Sequence, residues 1–247
     1  MKNPSSLLLG SLAIAIGVTL GPVQAGEKLL EFVPIGPSTT VSGNPGNQTV
    51  QWSGEVISNF NDTNFVLEFP ALSLDEGTEL KVAGEITFAG DLVVKDSHFR
   101  LGLLNSQQRK KDKGWLGYLA ASWGFGSQPG AFLVSRKDPN DGIWDSVGSG
   151  DASQSDRIAL MKNKGQLNSG TPYAFSFSLK KVPSGIAYHI VFSEKETPDY
   201  EITVFDGIDP TPNTTTFDRF GIYVRGFSGA LEVTLNQLKI AEISSKP

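Results

Sequence analysis

The chain has 247 residues, 21 Lys and Arg against 26 Asp and Glu for a formal net charge of −5, and no cysteine. An acidic balance argues against nucleic acid or an anionic membrane as the main partner, and without cysteine there is no thiol catalysis, thiolate metal site or redox switch. The G-x-S-x-G and H-E-x-x-H strings and a glycine-rich phosphate loop between strand and helix are all missing, which sets aside serine hydrolases, zinc proteases and nucleotide enzymes.

In chain order, the first element is a single lysine, Lys2, followed by an apolar run of 14 residues from Leu7 to Leu20. A Gly21-Pro22 break and Val23-Gln24-Ala25 come next. This is the order of a secretory signal peptide, and the run is short of the ~20 helical residues that span a bilayer. Residues 1–25 are therefore expected to be removed after Ala25, leaving 222 residues, Gly26 to Pro247. Losing Lys2 takes the charge from −5 to −6. No cysteine follows the apolar run, so no lipoprotein anchor is expected. These features predict a secreted or periplasmic bacterial protein with no membrane span after signal cleavage. A cysteine-free chain of this length buries enough apolar surface to need no disulfide. Residues 26–247 are read as one domain.

The segment Gly36 to Gln51, containing Gly-Asn-Pro-Gly-Asn, reads as an irregular entry loop. Beyond it, apolar and polar residues alternate with a period of two, the mark of half-buried strands. Val82, Gly84, Ile86 and Phe88 fall on one parity, as do Phe99, Leu101 and Leu103. Tyr173, Phe175, Phe177 and Leu179 form a third set, and Ile186, Tyr188, Ile190 and Phe192 a fourth. Turn signals such as Asp75-Glu76-Gly77 and Pro183-Ser184-Gly185 separate them. In GWLGYLAASWGFG, from Gly114, parity puts Trp115, Leu119, Ala121, Trp123 and Phe125 on one face. Burying two tryptophans favours that face as core, which leaves Tyr118 on the opposite, ligand-accessible one. Arg109 to Lys113 is read as a solvated basic loop. The stretch from Asp138 to Gly170 is rich in Asp, Ser, Gly and Asn and is expected to be a long surface excursion, with one turn of helix at Ile158 to Met161.

Strands joined by tight turns, without helices between them, predict an all-β fold, a two-sheet antiparallel β-sandwich of jelly-roll type. The tracts VAGEITFAG and HFRLGLLNS resemble consecutive strands of the concanavalin A-like lectin/glucanase superfamily. FDRFGIYVRGFSGALEVTLNQLKIAEI is similar to its closing strands. The resemblance covers roughly residues 30 to 245 and implies a jelly roll that binds or degrades glycans, without matching a specific enzyme family. Asn236 stands where many relatives of that superfamily carry Asp.

Retaining glycosidases need two carboxylates about 5 Å apart, and no E-x-D-x-E string supplies them. Glu79 and Glu85 are the nearest strand pair, so no catalytic residue is assigned. Glycan binding needs an aromatic ring for a sugar face and Arg or amide groups for its hydroxyls. The ligand-binding candidates are His98, Arg100, Tyr118, Tyr223 and Arg225, all on polar parity, with Trp144 in the excursion. They are expected to converge in one groove. Asp138, Asn140 and Asp141 place three oxygen-bearing side chains within four residues, a candidate structural calcium loop; no cofactor is otherwise required. The leading expectation is a secreted lectin-like protein that binds a polysaccharide or oligosaccharide without turnover. The alternative is a polysaccharide lyase using Tyr, His and Arg on the concave sheet, and the third is a cell-surface interaction protein.

Overall fold

A computed structural model describes residues 23–29, 33–35, 39–52, 64–90, 98–108, 115–122, 131–136, 157–160, 168–196, 201–225 and 231–244. In chain order the strands are β1 (Val23–Leu29), β2 (Val33–Ile35), β3 (Thr39–Asn44), β4 (Asn47–Trp52) and β5 (Asn64–Ser73). They continue with β6 (Thr78–Gly90), β7 (His98–Asn105), β8 (Leu116–Ser122), β9 (Ala131–Arg136) and β10 (Arg157–Leu160). The last five are β11 (Pro172–Val182), β12 (Gly185–Glu194), β13 (Glu201–Asp209), β14 (Thr216–Arg225) and β15 (Leu231–Ser244). No helix occurs among the described residues.

Alternation decides how these strands stack. Leu80, Val82, Ile86 and Phe88 of β6 are buried beside the odd-numbered aromatics of β11 and the even-numbered apolars of β12. These strands belong to an eight-stranded sheet ordered β13-β12-β11-β6-β15-β4-β3, with β1 pairing to the far half of β15. The second sheet has seven strands, β10-β9-β8-β7-β14-β5-β2. Every pairing in both sheets is antiparallel. Leu101, Leu103, Phe217, Phe220 and Ile222 of the second sheet join the same core. Phe175 and Phe220 stack across the layer with centroids 6.2 Å apart. The expected two-sheet sandwich is therefore the fold.

Three local expectations are corrected. The segment from Gly36 to Gln51 is not simply irregular, since β3 and β4 form a hairpin turning at Pro45-Gly46. Its strands are made of Thr, Ser, Asn and Gln, so no apolar alternation announced them. The island Ile158 to Leu160 lies in strand β10, paired to β9, and not in a helical turn. Four residues are too few to distinguish the two periods by pattern alone. In β8 the core face carries Tyr118 and Ala120, not Trp115 and Leu119.

β8 departs from the expected parity because the seven-stranded sheet is buried on both faces at its centre. Leu119 is 0% exposed although it points away from the shared core. It packs over Gly102, where an added Cβ would lie 2.7 Å from Leu119 Cδ2. Area alone therefore could not say which face met the other sheet.

A β-bulge interrupts β15. Asn236 pairs with Glu85 and Lys239 with Ala83, which leaves Gln237 and Leu238 opposite Gly84. Gln237 takes a left-handed φ of 52°. The β3–β4 turn accepts both freed amides: Leu238 N–H donates to the Gly46 carbonyl at 2.9 Å and Gln237 N–H to Asn47 Oδ1 at 3.1 Å. The extra residue switches parity, so Leu235 before it and Leu238 and Ile240 after it all reach the core.

Gly117 has φ +126°, and a Cβ there would fall 2.3 Å from the Leu103 carbonyl oxygen. Gly117→Ala is expected to lose more than ~2 kcal/mol in urea unfolding, from strain and backbone displacement together. An unchanged midpoint would show that β7 and β8 can part at no cost.

Candidate functional site

The pairing of β7 with β14 positions the candidate residues. Tyr223 is the register partner of Arg100, and Arg225 that of His98. Directly opposed residues lie ~4.5–5.5 Å apart. Four of the six proposed ligand contacts therefore fall on two alternate rungs of one two-strand ladder, although the two pairs lie more than a hundred residues apart in sequence. Leu101 and Leu103 enter the core, so Arg100 between them projects to the outer face of the seven-stranded sheet. Its side chain is only 1% exposed, deeper than a solvent-facing strand arginine was expected to be. Gly221 and Gly102 oppose each other on the next rung of that face, followed by Arg219 and Leu104.

Tyr118 does not join them. It pairs with Leu103, shares the core face, is 1% exposed, and lies 6.2 Å from the ring of Phe217. Its hydroxyl donates to Asp209 Oδ2 at 2.9 Å, and Asp209 Oδ1 accepts the Thr211 N–H at 3.0 Å. Asp209 belongs to the eight-stranded sheet, so this bond ties the two layers through the core. Burial, then the neighbouring Asp209 carboxylate, pushes the Tyr118 phenol far above its usual range. A phenol held in that state cannot act as a general base, and the expected ligand contact is a structural residue. Trp144 and the calcium candidates Asp138, Asn140 and Asp141 lie outside the described residues. Among the described residues no group of three or more His, Asp or Glu side chains could hold a metal ion.

Glu79 and Glu85 do share a face of β6, but six residues of strand separate them by ~20 Å. That is far beyond the spacing a retaining pair requires. Glu85 is instead held by Lys195, with Nζ 2.8 Å from Oε1 and 2.9 Å from Oε2.

A charged cluster at the end of the β7–β14 ladder escaped sequence reasoning. Asp218 Oδ1 accepts the Ser106 N–H at 2.7 Å and Oδ2 accepts the Ser106 hydroxyl at 2.5 Å. This clamps the turn after β7, where Gln107 and Gln108 are both left-handed, with φ of 51° and 61°. Arg219 bridges the Asp218 carboxylate at 3.3 Å and Glu68 at 3.2 Å, and its guanidinium sits 5.8 Å from the centroid of Trp115. Trp115 is thereby packed under a cation and buried, not open as a sugar platform. Aspartate and arginine stand side by side in FDRF. The register shift between Phe217 and Arg219 is what lets both be used locally, and no sequence period marks it.

No family model and no curated protein matches the sequence. Solved structures do match in fold. The carbohydrate recognition domain of Emp47p aligns at TM-score 0.55 with 10% identity, over 88% of this chain and 89% of that one. The exoplasmic/lumenal domain of VIP36 in its Ca²⁺-bound form aligns at TM-score 0.53 with 8% identity, over 89% and 84%. Its Ca²⁺/Man3GlcNAc-bound form aligns at 0.52 with 7% identity over the same shares.

The Tyr118–Asp209 bond makes two measurable claims. Tyr118→Phe is expected to cost ~1–3 kcal/mol, because it leaves a buried carboxylate oxygen without its donor. Burial also raises Tyr173 and Tyr188 above the ordinary tyrosine range. Stability from all three is fully present below the unfolded value near 10 and is lost as pH rises above it. Tyr118→Phe should therefore reduce the alkaline slope of the unfolding free energy, by up to ~1.4 kcal/mol per pH unit. An identical slope in parent and variant would contradict a neutral, buried Tyr118. Strand order, shared core and matched structures agree: the chain has a two-sheet antiparallel β-sandwich fold similar to that of the Emp47p and VIP36 domains.

Proposed function

We propose that this is a secreted or periplasmic glycan-binding protein that does not turn its ligand over. Its oligosaccharide or polysaccharide would be held on the outer face of the seven-stranded sheet, with His98, Tyr223 and Arg225 as proposed contacts and Arg100, which is 1% exposed, as a buried neighbour on the same ladder. The observation that carries this reading is the register pairing of Tyr223 with Arg100 and of Arg225 with His98. Aromatic and guanidinium residues on alternate rungs of one ladder suit the stacking and hydroxyl recognition that sugars require. Support also comes from the fold shared with the carbohydrate recognition domain of Emp47p and with VIP36, whose domain is known bound to Ca²⁺ and Man3GlcNAc. Trp144 is proposed as a further contact from the excursion. A structural calcium ion is assigned to Asp138, Asn140 and Asp141, whose oxygen donors are the type that hard cations take.

A lyase is the second reading, favoured by the same pairing. An imidazole at position 98, a phenol at 223 and two guanidinium groups are the kinds of group that abstract a proton beside a uronate carboxylate and neutralise the charge that develops. Tyr118 is withdrawn from both readings.

A glycan array paired with absorbance at 235 nm on uronic-acid polysaccharides separates them. Binding without a rise in absorbance is expected, and a rise would establish the lyase. Silence in both assays would move the protein to the interaction class. Tyr223→Ala with Arg225→Ala is expected to weaken the best array ligand at least about tenfold, ~1.4 kcal/mol, with little change in melting temperature. Undiminished binding would place the ligand elsewhere.

Export carries its own check. β1 runs through Val23, Gln24 and Ala25, and its pairing to β15 shifts register between Ala25 and Lys28. N-terminal sequencing of exported protein is expected to read Gly26, with Lys28 and Leu29 still paired to Ile240 and Lys239. A start at Met1 would refute cleavage.

A further inference from the structure

Five strands have one open side among the described residues: β13, β3 and β1 in the eight-stranded sheet, β10 and β2 in the seven-stranded one. An open side is a row of backbone donors and acceptors ready to pair with another chain, and proteins blunt it with shortness, proline or charge. Four of the five are blunted. β2 has three residues and contains Pro34. β10 has four and begins with Arg157. β13 carries Glu201, Asp206 and Asp209, and β1 carries Glu27 and Lys28.

β3 is the exception. Its six residues, Thr39 to Asn44, include neither a charge nor a proline, and β4 beside it also has none. Thr40 and Ser42 are exposed on the outer face, opposite Gln51 and Thr49, while Val41 stands opposite Val50 and packs against the core. The strand is also complementary to itself. Laid antiparallel to a second β3 with valine 41 at the centre, it sets Thr40 opposite the partner's Ser42, and Ser42 opposite the partner's Thr40, on the outer face. On the inner face Val41 meets the partner's Val41. Hydroxyl pairs and β-branched pairs of this kind are favourable cross-strand neighbours, and a two-fold axis through the central pair makes the contact isologous and closed.

Charge selects the same edge. Two copies that each carry a net charge of −5 repel one another. Pairing through β13 would add to that by bringing three carboxylates of one copy beside three of the other. Pairing through β3 brings no charged side chain of either strand to the contact.

We propose that the protein forms a two-fold dimer through β3, in which the eight-stranded sheet of one copy continues into that of the next. The dyad of an antiparallel pair stands perpendicular to its sheet, so the outer faces of both seven-stranded sheets point the same way. Two β7–β14 ladders are then presented to one polysaccharide chain, which raises avidity without a new contact. That consequence rests on the glycan reading above; the pairing itself does not.

Sedimentation equilibrium, with amide hydrogen exchange at several protein concentrations, tests the dimer. The parent is expected to dimerise reversibly, and exchange in β3 to slow as concentration rises. Thr40→Glu with Ser42→Glu sets like charges directly opposite each other twice and should weaken dimerisation at least about tenfold. Its circular dichroism and urea midpoint in dilute solution should match the parent's, which reports an intact monomer. Thr40→Lys with Ser42→Lys should be equally weakened alone, and mixing the two variants should restore a mixed dimer. If either variant fails to fold, exchange in the parent decides alone. The proposal is overturned by a monomeric parent with concentration-independent exchange in β3, by slowing at β13 in its place, by undiminished dimerisation of the glutamate variant, or by folded variants that do not pair when mixed.

Discussion

The antiparallel pairing of β7 with β14 is the constraint on which the rest depends. Seen from the core, it delivers Leu101, Leu103, Phe220 and Ile222 to the aromatic layer between the sheets. On the alternate rungs the same pairing makes Arg100 the register partner of Tyr223 and His98 that of Arg225. A slip of one residue would exchange the two sets, sending four polar or charged residues into the core and four large apolars to the outside. The apolar contacts thus fix the register of both faces of the ladder.

Two other devices hold that register. The Tyr118–Asp209 bond joins β8 to β13 across the core, so the layers cannot slide without exposing a buried carboxylate to an apolar surround. At the end of the ladder, Asp218 clamps the turn after β7 while Arg219 ties Glu68 and Trp115 to the same rung. The Tyr118–Asp209 and Ser106–Asp218 bonds join partners far apart in sequence, and each defines one alignment of strands where apolar packing alone would tolerate several.

Period-two alternation made the core strands legible. Leu80, Val82, Ile86 and Phe88, the aromatic run of β11 and the apolars of β12 all face inward as their parity implies. Alternation fails where both faces of a strand are covered, and β8 is the case in point. Trp115 and Leu119 outweigh Tyr118 and Ala120 in apolar area, yet they lie on the outer face under Arg219 and over Gly102. A buried tyrosine with a carboxylate partner looks in sequence like an exposed one, because Asp209 is 91 residues away. The polar hairpin of β3 and β4 was hidden for the opposite reason, having too few apolar residues to alternate. Polar parity singled out His98, Arg100, Tyr223 and Arg225 as candidates, and only the sheet order pairs Arg100 with Tyr223 and His98 with Arg225.

We propose that glycan lies across the β7–β14 ladder on the outer face of the seven-stranded sheet. Carbene footprinting of the protein with and without its best neutral oligosaccharide tests this most directly. Reduced labelling is expected at residues 98–100 and 223–225, with labelling unchanged on β6 and β11. Protection confined to the eight-stranded sheet, with the β7 and β14 peptides labelled equally in both states, would contradict it.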